Sequence, residues 1–111
     1  MTHQRQCKLT VIRKAYFEDL AKDYAPVSIT CPCQKFEEGQ TFILDQNGPQ
    51  GYWHLMGGTF CLEAWAAISN YVDTILQGGT FQTDRKEKYR IACCPSGIRP
   101  VIFKIELLKD E

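Results

Sequence analysis

The chain has 111 residues, 44% of them hydrophobic, and its thirteen basic and thirteen acidic side chains cancel. That is the length of a single domain, residues 1–111, with one core, and it leaves no room for separate cofactor and substrate domains. The balanced charge, with no long block of either sign, excludes a dedicated nucleic-acid surface or anionic-membrane surface, because both need clustered positive charge.

The first fourteen residues are polar and then alternating, and nowhere do about 18 apolar residues run together, so the sequence predicts a cytoplasmic chain with no membrane segment. From Cys7 to Arg13 apolar and polar side chains alternate, the pattern of a strand with one buried face. Phe17, Leu20, Ala21 and Tyr24 then fall three and four apart, with Glu18 and Asp19 in the favoured acidic first turn, which predicts a short helix closed before Pro26. Val27 to Gln40 reads as an irregular loop carrying Cys31-Pro32-Cys33 and a turn at Glu38-Gly39, and it leads into a strand at Thr41 to Leu44. Asp45 to Pro49 has turn chemistry.

Gln50 to Thr59 is a glycine-rich loop bearing Tyr52, Trp53 and His54, the kind of long loop that often carries function. The main helix follows, with Thr59 as its cap, Leu62, Trp65, Ile68, Val72 and Ile75 or Leu76 as a buried stripe, and Gly78-Gly79 as its stop. Trp65 is expected in the core. The charge run Asp84 to Lys88 is a solvated connection, after which Tyr89 to Cys94 and Arg99 to Leu108 alternate as two strands. The order β-α-β-α-β-β predicts an α+β domain, a small and mainly antiparallel sheet with helices packed on one face.

Pro95-Ser96-Gly97 suits a three-residue hairpin loop whose third residue is left-handed, a place for Gly97. That register sets Cys94 opposite Ile98, Cys93 opposite Arg99, Ile91 opposite Val101 and Tyr89 opposite Phe103. Directly paired residues share a face, so Cys93 and Arg99 are expected together on the apolar side, with Cys94 turned away. A guanidinium beside Cys93 would favour its thiolate.

Six cysteines in a chain expected in a reducing compartment point to metal binding, redox chemistry or burial as small hydrophobes, and away from a disulfide framework. Cys31-Pro32-Cys33 can bring two thiols to one site, although no pair of C-x-x-C zinc knuckles is present. Adjacent Cys93 and Cys94 point to opposite faces of a strand, so only one of them can serve a given site. Cys61, two residues after the expected cap, falls in the first helical turn, where free amides and the helix dipole favour a thiolate. Cys7 in its alternating strand reads as core. His54 and Trp53 on the aromatic loop are candidates to complete or cover a site near Cys61.

Phe17-Glu18-Asp19-Leu20-Ala21, Cys33 with Phe36 to Gln40, Cys61 with Ala64-Trp65, Gly78-Gly79 and the block Cys93-Cys94-Pro95-Ser96-Gly97-Ile98-Arg99-Pro100-Val101-Ile102-Phe103-Lys104 resemble a family of short uncharacterised microbial proteins of about this length. The likeness spans nearly the whole chain. It implies a stand-alone domain whose recurring residues include Cys33, Cys61, the Cys93-Cys94 pair and Arg99, and it implies no established reaction. This chain departs from that pattern in its longer Gly51 to Gly58 loop, which carries His54.

The leading expectation is a small cysteine-site domain in which Cys33, Cys61 and Cys93 are metal ligands for zinc, iron or an iron–sulfur cluster, or act in thiol redox. A second is a small enzyme with Cys61 or Cys93 as the reactive group and Arg99 binding an anionic substrate. A third is a non-catalytic interaction domain whose aromatic loop meets a partner or a second copy of the chain.

Overall fold

The computed structural model describes residues 5–45, 61–79 and 89–110. Alternation in the first segment produces β1 (Arg5–Lys14), with Cys7, Leu9 and Val11 fully buried along one face. After it come α1 (Glu18–Tyr24), β2 (Thr41–Asp45), α2 (Leu62–Leu76), β3 (Tyr89–Cys93) and β4 (Val101–Asp110). The strands form one antiparallel sheet in the order β2-β1-β4-β3. Its centre is therefore the pairing of β1 with β4, running from Arg5 opposite Asp110 to Lys14 opposite Val101.

α2 packs across β1, β3 and β4. It presents Ala64, Ile68, Val72, Ile75 and Leu76 to Phe42 and Leu44 of β2, Val101, Phe103 and Ile105 of β4 and the buried face of β1 in a single core. Trp65, expected in that core, is half-buried at its margin instead, while Ala64 takes the central place. Residues 78 and 79 end α2 as the sequence predicts: Gly78 is left-handed at φ 96°, the Gly78 N–H donates to Ile75 O at 3.2 Å, and the Gly79 N–H donates to Thr74 O at 2.8 Å. A Cβ on Gly79 would lie 2.9 Å from Thr74 Cγ2.

α1 has acids in its first turn and buries only Ala21. The irregular stretch after it is anchored by Phe36, which is 1% exposed and meets Phe42 and Phe103 edge-on, with ring centroids 6.3 and 5.4 Å away. It then turns through left-handed Gly39, whose N–H donates to Val11 O at 2.7 Å. The expected turn at Glu38-Gly39 thus delivers the chain into β2 beside β1. Arg90 stacks its guanidinium 5.0 Å from the Tyr71 ring of α2, which closes the β3 side. Among the described residues no helix is long and apolar enough to cross a membrane.

Candidate functional site

Three separate segments meet at the end of the sheet where β4 begins, around a cleft of about 300 Å³. The stretch pinned by Phe36 contributes Cys33 and Lys35, the start of α2 contributes Cys61 and Glu63, and the β3–β4 connection contributes Cys94, Pro95, Ser96 and Arg99. Cys33 and Cys61 are half-buried, and Cys94, 9% exposed, belongs to the core cluster as well as to the cleft wall.

The connection between β3 and β4 differs from the expected hairpin. The observed register sets Cys93 opposite Ile102, Ala92 opposite Phe103 and Ile91 opposite Lys104. That is three residues out from the expected pairing, and an odd slip moves every β3 side chain to the other face. Cys94 consequently turns inward, and Cys93 is exposed on the opposite face, so Cys93 is not the member of the pair that joins Arg99. The cause lies outside the hairpin. The carbonyls of Ile98 and Pro100 accept hydrogen bonds from the Phe17 and Ala15 N–H groups at 2.8 and 2.9 Å, so residues 98–100 run beside the β1–α1 junction instead of pairing with β3. Gly97 is not left-handed. Pro100 was the sequence signal for this, because a proline inside the expected ladder has no N–H to give it.

Local hydrogen bonds fix the cleft wall. The Cys94 N–H donates to Val101 O at 3.1 Å, and in return the Val101 N–H donates to Cys94 Sγ at 3.3 Å. The sulfur stands where the strand carbonyl would otherwise accept, which sets its position at the base of the cleft. The Arg99 N–H donates to Ser96 Oγ at 3.1 Å and closes the turn that carries the guanidinium. On the opposite wall Cys61, and not the expected Thr59, is the N-cap of α2, so the helix starts two residues later than expected and Cys61 precedes its first turn. Its carbonyl accepts from the Trp65 N–H at 2.9 Å, and its side chain makes no capping hydrogen bond. Lys35, Glu63 and Ser96 were not singled out from sequence, and nothing local in their neighbourhoods marks them.

The remaining thiols lie elsewhere. Cys7 is sealed in the core, where burial pushes its pKa up to about 12, with a backbone hydrogen bond at Glu106 opposing and the Glu106 charge adding to the rise. Cys31 accepts from Gln34 Nε2 at 3.3 Å and is not part of the cleft lining, so Cys31-Pro32-Cys33 sends only Cys33 to the site. His54, Trp53, Tyr52 and the Thr59 cap lie outside the described residues. Among the described residues no three His, Cys, Asp or Glu side chains are arranged to hold a metal ion. A second hollow of about 260 Å³ beside α1 contains no thiol.

No family model, curated protein or solved structure matches the chain. What the cleft can do is read from its own described side chains: sulfur nucleophiles or soft donors on three sides, two cations, one carboxylate, and space for a small molecule at the lower end of ligand-pocket volumes.

Proposed function

We propose that the chain is a small cysteine-site domain that performs thiol chemistry on a small molecule bound in this cleft, through Cys33, Cys61 and Cys94, with Arg99 facing the ligand. The observation that carries the reading is the meeting of three free cysteines from three distant segments at one concavity that also holds an arginine. Burial of cysteines as small hydrophobes accounts for Cys7 and asks for no cleft and no cation.

A resident soft metal or iron–sulfur centre is the second reading, favoured by three sulfur donors on one cleft. It stands behind the first because the described side chains are spread around a small-molecule space and do not close on a single ion.

Site-resolved alkylation of anaerobically purified, untagged protein, with elemental analysis of the same sample, separates the readings. Thiol chemistry expects Cys33, Cys61 and Cys94 to react without a chelator while Cys7 stays protected. Stoichiometric metal, with those three thiols protected until chelator is added, would establish the metal centre instead. Three unreactive cleft thiols in chelator-treated folded protein would remove both readings.

A further inference from the structure

The charged groups of the cleft are not arranged at random with respect to its sulfurs. Lys35 and Arg99 face it against the single carboxylate of Glu63, and neither cation has an ion-pair partner among the described residues. The N-terminal end of α2, where Cys61 leaves the first turn without a side-chain cap, adds positive potential to the same space. Arg99 projects from a backbone held on both sides: its own N–H is bound by Ser96, and the carbonyls of Ile98 and Pro100 are bound by Phe17 and Ala15. The backbone that carries the side chain is thus fixed beside the cleft, and a guanidinium can grip a planar anion with two parallel hydrogen bonds. Five residues before it in the chain, Cys94 Sγ is set by the Val101 N–H at the inner end of the cleft, whereas Cys33 and Cys61 stand on more open walls. Among the described residues, two cations and one carboxylate leave a single net positive charge, which matches a monoanion better than a dianion.

We propose that the cleft recognises a small carboxylate, held by Arg99 with Lys35, and presents the ligand's electrophilic atom to Cys94, the acting thiol. This rests on the thiol-site reading above and assigns roles within it. Cys93 is one residue away, exposed on the opposite face and far from Arg99 in orientation, so the protein carries its own reference thiol.

Two alkylating agents with the same reacting carbon test the assignment. Iodoacetate carries a carboxylate and iodoacetamide does not. In both, the deprotonated Cys94 Sγ forms a bond to the CH₂ carbon as the carbon–iodine bond breaks, and iodide leaves with the electron pair. Rates read by mass spectrometry at each cysteine give a ratio of iodoacetate to iodoacetamide reaction. That ratio is expected to be about tenfold higher at Cys94 than at Cys93, the scale of one charge-assisted hydrogen bond. It should fall to the Cys93 value in Arg99→Gln, and acetate should slow iodoacetate at Cys94 while leaving iodoacetamide unchanged. Equal ratios at the two cysteines would overturn the carboxylate site and leave the thiol-site reading standing. Preference at Cys33 or Cys61, with Cys94 silent, would overturn the choice of thiol. Silence at all three cleft cysteines would remove the thiol-site reading and this proposal with it. Should Arg99→Gln fail to fold, acetate competition on the unmodified protein and the Lys35→Gln variant decide the same question.

Discussion

Cys7 and Cys94 are both buried cysteines on the helix-covered side of one sheet, at opposite ends of β4, yet they sit in opposite chemical situations. Cys7 pairs with Leu107 and Cys94 meets Val101, so roughly 20 Å of strand separates them. At Cys7 burial outweighs a backbone hydrogen bond at Glu106 and holds the thiol protonated, with core packed around it. Around Cys94 the strand ladder has ended, a backbone amide points at the sulfur, and the cleft opens beside Arg99. Fractional exposure therefore does not distinguish these two surroundings. A cleft that reaches the sulfur, and a cation lining it, set Cys94 apart.

The largest test of this contrast removes what joins the two ends. Phe103 lies between them on β4 and supports Phe36, which pins the segment carrying Cys33. Phe103→Ala should cost about 3–5 kcal/mol in urea unfolding, the range for a large aromatic lost from a packed core. It should also bring the alkylation rate of Cys7 closer to that of the cleft thiols. A loss below about 1 kcal/mol, with Cys7 still protected, would mean that the ends are held independently.

Alkaline pH sharpens the contrast from the Cys7 side. The thiol titrates near 9.0 in the unfolded chain and about 12 in the folded protein. Between those values the unfolded state has released a proton that the folded state keeps, so stability is full below pH 9 and declines as pH rises toward 12. The slope is up to about 1.4 kcal/mol per pH unit. Denaturation midpoints of the parent and of Cys7→Ala should converge across that window. Parallel curves would show that Cys7 is not held protonated by its surroundings.

The smallest effects belong to the adjacent pair. Cys94→Ala takes away the sulfur that accepts the Val101 N–H and should cost about 1–3 kcal/mol, while Cys94→Ser, which keeps an acceptor, should cost less. Cys93→Ser, on the exposed face, should stay within about 0.5 kcal/mol. Similar losses at both positions by chemical denaturation would contradict the observed register.

All six elements were legible in sequence order, because alternation and helical spacing are local signals that the folded core respects. The Gly78-Gly79 stop was legible for a similar reason: both glycines are required by the last turn of α2 itself. Cys33, Cys61 and Arg99 were named from sequence as candidates, and the structure sets them around one cleft. The identity of the third thiol was not. Alternation fixes a strand's two faces only once its register is known, and here the register depends on Ala15 and Phe17, some eighty residues earlier in the chain, taking the carbonyls of Pro100 and Ile98. Trp65 was misplaced for a different reason. Spacing alone rewards the larger apolar side chain, whereas α2 sets Ala64 in the core and Trp65 at its margin.

The pairing of β1 with β4 at the sheet's centre has a consequence for how the protein comes into being. During synthesis β1 emerges first, and its central partner, residues 101–110, is made after every other element described. Until then β1 has only β2 to pair with, β3 has no strand to join, α2 lacks much of the surface it covers, and the walls of the cleft are three unconnected pieces of chain. Contacts this distant in sequence are slow to form because a long loop must close before they contribute anything. All six cysteines therefore leave the ribosome ahead of the structure that tells them apart. The difference between a sealed Cys7 and a Cys94 beside a cleft is acquired only once residues 101–110 join the sheet, and a chain that meets an oxidant before that moment offers six thiols that the fold has not yet set apart.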